Sequence, residues 1–589
     1  MLEEIVFKIG GEQGQGLDST ADTFATVINR IGYWVYYYKT FQSRIKGGHT
    51  DFTIRLGRER VLAAVPRIHV LTAMDQESID LLSGELVDNG LLLADAHFKP
   101  TAPSGVDLIA FDMTAIAREL GNPIYRGMIS IGASTALLGI PLPGFKDYLA
   151  ERFGRRGQGI VEANWAALDR GAEEALRLAG SRTFHVAPPI RDGEERILIA
   201  GNEAMTLGAF AGGCRAVFAY PITPASEVLE TATKVFPKFG GIAVQMEDEL
   251  SALAACVGAQ FAGVRAMTAT AGPGISLMQE NLGWAGMCEI PVVVIDTQRG
   301  GPSTGMPTKQ EQSDLFALTM GGHGEAPRIV LTPGTIEQAY TDAALAFNLA
   351  DNYHCPVLIA SDLGLAHWKA SVPPFKLGDV SIDRGPLADP EEMAAMGRDA
   401  FERYAHTDSG VSPRSFPGQK NGQFLASGAE HGPTGKVTEN PANRRYMMDR
   451  RLRRQRGTLE LNGEPVPGVE YRGDANPEVL LISYGSPIGA VWEGARLLRQ
   501  EGMRVGVAQV RIIQPLPVSD LQRLIDGAGH TFVVENNALG QFAFLMRGHG
   551  VHGRVGSILK YDGTLFLADE VASRTKEILM GEGAVAADD

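Results

Sequence analysis

The sequence predicts an α/β protein: three doubly wound, mostly parallel α/β domains joined by a Gly/Pro-rich connector. Three observations predict it. Short apolar runs alternate with helix-like runs through most of the 589 residues. The 70 glycines suit a chain with many tight strand-to-helix turns. Residues 371–475 break the alternation, being rich in Gly, Pro and Ser with little periodicity. A length prior of ~150 residues per domain gives three or four units.

Taken in order, residues 1–185 form the first domain. IVFKIG reads as a strand, GEQGQG as a turn, LDSTADTFATVINRIG as a helix and WVYYYKTF as a second strand; GLLLA and VDLIAF are further strands. Such alternation implies a parallel sheet with helices on both faces. The polar stretch APPIRDGEER precedes the second domain, 195–370, which opens with ILIAGNEAMTLGAFAGG. After the connector, the third domain, 476–581, starts at VLLISYGS, and the tail GAVAADD reads as frayed.

Composition excludes several classes. Apolar content of 44% is ordinary for globular protein, and 54 basic against 69 acidic residues (net −15) argues against nucleic acid or an anionic membrane as partner. No run reaches the ~18 apolar residues of a membrane span, and MLEEIVFKIGGEQGQG is no signal peptide. A cytoplasmic protein is expected. Cys214, Cys256, Cys288 and Cys355 form no Cys-x-x-Cys, so they read as buried free thiols. His549 and His552 have no further ligand beside them, and no metal site is expected. DRRLRRQR, Asp449 to Arg456, reads as a solvated helix face.

Two glycine-bearing segments leave alternatives open. Gly10, Gly11, Gly14 and Gly16 fit either a tight turn packing helix on sheet or an anion contact; they match neither G-x-G-x-x-G nor a P-loop. In SRIKGGHT, Arg44, Lys46 and His49 surround Gly47-Gly48, as either a cationic loop reaching a ligand or a hairpin turn.

The densest chemistry lies between 216 and 314. In AVFAYPITPASE, Pro221 and Pro224 end a buried strand. Thr223, preceding a proline, is held extended on a stiff turn past the strand's end, where open α/β sheets bind ligands. In VQMEDELSALAACVGAQFAGV, Leu250, Leu253, Val257 and Phe261 recur at helical spacing, and Glu249 borders that face, placed for partial burial and for giving a proton or hydrogen bond. The run VRAMTATAGPGISLMQENLGWAGMCEIPVVVIDTQR then reads strand, Gly272-Pro273-Gly274 turn, helix, strand. QRGGPSTGMPTKQEQSD follows at the strand's ligand-binding edge, where Arg299 can fork onto a carboxylate and Thr304 and Thr308 can donate.

This order of Glu, strand, GPG, helix and Ile-Pro-strand resembles the pyrimidine-binding domain of thiamine diphosphate enzymes, and YPITP resembles the 2-oxoacid:ferredoxin oxidoreductases among them. GGEQGQG with SRIKGGHT looks like that family's gamma domain, VSPRSFPG with GAEHGPTGK like its alpha-subunit connector, and VENNALGQF like its transketolase-like carboxyl-terminal domain. The resemblance covers nearly the whole chain and is nearest to the alpha subunit of 2-oxoglutarate:ferredoxin oxidoreductase.

The resemblance implies that Glu249 hydrogen-bonds the aminopyrimidine of thiamine diphosphate beside Tyr220, Pro221 and Ile222. It implies substrate contacts from Thr223, Arg299 and Thr308, with Arg299, then Lys46, as candidate for a distal carboxylate. The reaction implied joins a 2-oxoacid and coenzyme A to give an acyl-CoA, CO2 and reduced ferredoxin. The chain lacks Gly-Asp-Gly and clustered cysteines, and the resemblance implies that Mg2+ and a [4Fe-4S] cluster are held by a separate beta subunit in an alpha2beta2 assembly. An enzyme for pyruvate or branched-chain 2-oxoacids, and a non-catalytic assembly subunit, remain open alternatives here.

Overall fold

The computed structural model describes residues 1–42, 47–190 and 192–581. It forms two compact units: 1–199 with 367–374, and 200–366 with 375–589.

The first unit is built on an eight-stranded sheet. Its strands are β1 (Glu4–Glu12), β2 (Trp34–Thr40), β3 (His49–Gly57), β4 (Ile68–Ala73), β5 (Leu86–Asp95), β6 (Asp107–Phe111), β7 (Ile197–Ala200) and, returning much later in the chain, β14 (Lys369–Val372). The spatial order is β6-β5-β4-β1-β3-β2-β14-β7. Apolar residues line both faces, since Leu91 and Leu93 of β5 join one core while Leu92 and Ala94 join the other. The sheet departs from the mostly parallel expectation. β1, β4, β5 and β6 are parallel, but β3 runs antiparallel to both β1 and β2, and β14 antiparallel to β2. The cause is the short link between β2 and β3: a parallel crossover needs a dozen or more residues. That link is residues 41–48, and the last two residues of SRIKGGHT, His49 and Thr50, already belong to β3. Arg44 and Lys46 lie outside the described residues; His49 is buried against Asp51, 3.3 Å away. Gly10 and Gly11 belong to β1 rather than to a turn, and a side chain there would strike Leu82 and Ser78, or Leu17 and Met74.

The second unit contains a seven-stranded sheet of β8 (Ala216–Ala219), β9 (Ile242–Gln245), β10 (Ala266–Thr270), β11 (Val292–Gln298), β12 (Ile329–Leu331), β13 (Pro356–Asp362) and β20 (Ile512–Gln514), in the order β20-β12-β13-β11-β10-β8-β9. All neighbours are parallel except β20. A small hairpin, β15 (Glu460–Leu461) and β16 (Glu464–Pro465), precedes a five-stranded sheet ordered β17-β19-β18-β21-β22. Its strands are β17 (Val469–Gly473), β18 (Val479–Ser483), β19 (Val505–Val510), β21 (His530–Glu535) and β22 (Val555–Leu559), parallel but for β17. One apolar cluster runs through both sheets, from Leu253 and Val294 to Ile482 and Phe542. The four cysteines are buried and free.

The arginine run is not a solvated face. It lies in and just beyond the helix Pro441–Arg453, with Arg450, Arg451 and Arg454 buried. Glu289, fully buried at the end of the helix Gly272–Cys288, pairs with Arg450, with Arg454 at 2.6 Å and with Arg403 at 3.5 Å. Arg450 also donates to Ser412 Oγ and Arg454 to Gly410 O; Arg403 donates to Glu289 O and Arg454 to His354 O, both main-chain carbonyls at helix ends. Those carbonyls carry the negative end of the helix dipole, which offsets the excess positive charge. Charged residues are buried here because partners far away in sequence meet them, which periodicity cannot reveal.

Burial alone would raise the Glu289 carboxyl, but Arg454, Arg450 and Arg403 hold it at about 2. A carboxyl lowered on folding stabilises the fold above its ordinary value of ~4.3, and that contribution is lost as pH falls through the lowered value. Glu289→Gln is therefore expected to melt below wild type at pH 7, with the gap closing between pH ~4.5 and about 2. Melting temperatures across that range check it; a gap that stays constant with pH refutes it.

Candidate functional site

Five parallel strands of the second unit deliver their carboxyl ends to one edge of the sheet. β8 ends in YPITP, β9 leads to Glu249, β10 to Gly272-Pro273-Gly274, β11 to Arg299 and β13 to Asp362. Ligands bind at such an edge.

The YPITP turn is held from two sides. Asn202 Nδ2 donates to Pro224 O at 2.8 Å, and Arg299 Nη1 donates to Thr223 O at 2.5 Å. β8 and β11 flank β10, so Arg299 reaches across the end of the intervening strand. Tyr220 and Pro221 are exposed, and Ile222 and Thr223 half-buried. Among the described residues nothing bonds the Thr223 hydroxyl.

Glu249 opens the helix Glu249–Phe261, whose N-cap Asp248 accepts from Ser251 N at 2.7 Å. The buried face is Glu249, Ala252, Leu253, Cys256, Val257 and Gln260. Glu249 is thus in the middle of the buried stripe, while Leu250, expected on it, is 44% exposed. Only 6% of Glu249 is exposed, and no described residue bonds its carboxylate. It lies against the GPG turn: a Cβ on Gly274 would stand 2.8 Å from Glu249 Cγ, 3.0 Å from its Oε1 and 1.9 Å from Thr270 Oγ1. Glycine at 274 is what lets the carboxylate and the helix start approach each other. The residue is buried but its carboxylate oxygens are not among the buried atoms that lack a partner, so they keep access to the open edge of the sheet, where a ring nitrogen can hydrogen-bond them. The chain's residues fit the aminopyrimidine of thiamine diphosphate in this respect.

Arg299 is 7% exposed, and its Nε is buried without a partner. Burial lowers its guanidinium's pKa, which Asp314 opposes. Beyond it the loop splits in two. Residues 301–306 are exposed, Thr304 among them, and Thr308 is half-buried. The far half is fastened to the ends of β18 and β21. Gln310 N donates to Gly563 O and its Nε2 to Ser486 Oγ; Gln312 Nε2 donates to Asp362 and to Tyr484 O, and its N to Asn536 O. Asn537 and Gln541 donate to the carbonyls of Gln312 and Ser313. Within VENNALGQF, Glu535 accepts from Phe542 N and Ala543 N, capping the helix Gln541–Gly548. These residues hold the loop in place. Sequence reading missed Gln310 and Gln312, whose only signal is two amides two residues apart in a polar loop.

Among the described residues no three metal-binding side chains gather, and no helix is long and apolar enough to cross a membrane. Lys46 lies outside the described residues.

Comparison with known proteins adds the following. Residues 207–450 match the family described as pyruvate flavodoxin/ferredoxin oxidoreductase, thiamine diphosphate-binding; 6–174 match pyruvate ferredoxin/flavodoxin oxidoreductase; and 477–550 match pyruvate:ferredoxin oxidoreductase core domain II. The chain is 30% identical to the 2-oxoacid:ferredoxin oxidoreductase subunit alpha of a Sulfolobus species, over 96% of this chain and 95% of the other. It is 30% identical to the 2-oxoglutarate oxidoreductase subunit KorA of Mycobacterium tuberculosis, over 98% and 92%. A solved structure, 2-oxoglutarate:ferredoxin oxidoreductase from Magnetococcus marinus with 2-oxoglutarate, coenzyme A and succinyl-CoA bound, superposes with a TM-score of 0.91 at 33% identity, covering 98% of this chain and all of that one.

Proposed function

The chain belongs to the 2-oxoacid:ferredoxin oxidoreductase family, and on that premise we propose that it is the alpha subunit of an enzyme interconverting 2-oxoglutarate plus coenzyme A with succinyl-CoA, CO2 and reduced ferredoxin. The observation that carries the reading is Glu249: a buried glutamate whose carboxylate no described residue bonds, pressed against a GPG helix start at the ligand-binding edge. The names of relatives and of the similar solved structure favour 2-oxoglutarate over other 2-oxoacids.

Thiamine diphosphate, when bound, supplies the nucleophilic carbon and electron sink for loss of CO2. Glu249 holds and moves a proton at the aminopyrimidine ring. Tyr220, Pro221 and Ile222 form the wall beside that ring. The Thr223 hydroxyl donates to the substrate's C1 carboxylate, with its backbone fixed by Arg299. Thr308 contributes a second hydroxyl from the loop, and Lys46 a cation. A beta subunit carries Mg2+ and the [4Fe-4S] cluster, in an alpha2beta2 assembly in the cytoplasm that passes electrons to ferredoxin.

The test is reduction of a viologen dye by a panel of 2-oxoacids with coenzyme A and thiamine diphosphate. The chain alone is expected to be colourless and inactive, and the complex assembled with its beta subunit to prefer 2-oxoglutarate. Substantial activity from the chain alone, or a preference for pyruvate, defeats the proposal.

A further inference from the structure

β11 ends in three buried polar residues, Asp296, Thr297 and Gln298. Asp296 and Gln298, two residues apart, share one face of the strand. Gln298 is fully engaged, donating to Ser361 O at 3.1 Å and accepting the Asp314 backbone N–H at 3.1 Å. Asp314 is thereby tied to the face that carries Asp296. Neither Asp296 oxygen has a hydrogen-bond partner, nor does Asp314 Oδ2. Asp296 stands in register with Thr270 of β10, whose hydroxyl abuts Gly274 beside Glu249. The Asp314 oxygens lie 2.7 and 2.8 Å from where a Gly272 Cβ would stand, over the start of the helix Gly272–Cys288.

Two neighbouring buried carboxylates with three unpartnered oxygens cannot both be ionised cheaply. Asp314's charge acts on Asp296, and one proton on the pair removes a charge from it. Around them stand Arg299 from the end of β11, Glu311 from the loop, Tyr484 from the end of β18 and Glu249 behind Gly274. Arg299 is the cation that offsets this negative charge. A substrate carboxylate drawn to the site neutralises Arg299's field and leaves Asp314 among negative groups.

We propose that Asp296 and Asp314 are positioning residues, a carboxyl pair that holds one proton at neutral pH and takes up a further proton from solvent when an anionic substrate binds beside Arg299. The proton goes to an Asp314 carboxylate oxygen and returns to solvent when the substrate leaves; no other bond changes. Burial raises both carboxyls, Asp296 well above the usual range with Asp314's charge adding to it, and Asp314 to about 6 with Glu311 adding and Arg299 opposing. At pH 7 Asp314 is therefore close enough to titration for a bound anion to protonate it.

The substrate in this inference rests on the 2-oxoacid reading above. The test is calorimetric titration of the assembled complex with 2-oxoglutarate at pH 7, in two buffers of different ionisation enthalpy. Expected is uptake of roughly 0.5–1 proton per substrate bound, reduced to near zero in Asp314→Asn. Wild-type KM should rise as pH climbs above about 6 while kcat holds, and the variant's KM should stay flat. Binding heats that do not depend on the buffer overturn the proposal. Absence of binding by any 2-oxoacid defeats the substrate reading instead. The shared proton is then judged on the chain alone by infrared difference spectra of wild type against Asp296→Asn: a protonated-carboxyl stretch at neutral pH sustains it, and its absence overturns it.

Discussion

Glu249→Gln is expected to lower turnover of the assembled complex ~10²–10⁴-fold, the range for loss of a positioned acid–base group, with the fold intact. The replacement is nearly isosteric, so the contact with Gly274 and the packing of Ala252, Leu253 and Cys256 along the same helix face survive. What goes is the ability to ionise. In wild type the residue is 6% exposed and no described residue bonds its carboxylate, which leaves it free for a cofactor's ring nitrogen. The replacement keeps the side chain's shape and packing, so the melting temperature of Glu249→Gln without cofactor should match that of wild type. Cofactor affinity, read by calorimetry, should fall together with turnover. A variant that keeps turnover would reduce Glu249 to a residue that complements the helix dipole.

The same residue shows what was legible in the sequence. The alternation of apolar and polar runs foretold the parallel part of both large sheets, because each strand's burial is written in its own few residues. YPITP, Glu249 and GPG were legible because prolines, a first-turn acid and a glycine pair act locally. What failed was non-local. β14 returns to the first sheet from more than 300 residues downstream of its partner β2. Arg450 and Arg454 are buried because Glu289 waits 160 residues upstream. Gln310 and Gln312 are anchors only because the ends of β18 and β21 face them. Charge or amide content marks such residues as exposed until the partner is seen.

Arg299→Met should cost kcat/KM ~30- to 5,000-fold with 2-oxoglutarate, pyruvate and 2-oxobutyrate alike. From the sequence, a loss weighted toward 2-oxoglutarate is the natural expectation, since only that acid carries a second carboxylate. The geometry argues for a shared loss. The guanidinium, 7% exposed, spends Nη1 on Thr223 O, so its removal leaves a carbonyl unpaired and frees the turn whose Thr223 hydroxyl is proposed to meet the carboxylate common to all three acids. It also strips Asp314 of its opposing cation. Truncating one partner of a buried, hydrogen-bonded charge costs ~2–5 kcal/mol, which sets the range. Arg299→Lys should not rescue, because an ammonium on a shorter reach cannot repeat a planar fork. Steady-state kinetics of the assembled complex on the three acids decide the matter: a loss confined to 2-oxoglutarate would put the guanidinium on the distal carboxylate. If the loss is shared, that carboxylate still needs a cation, since burying it unpaired is prohibitive. Lys46 or the beta subunit would then have to supply it: Lys46→Met weakening 2-oxoglutarate while sparing pyruvate assigns it to Lys46, and no change assigns it to the beta subunit.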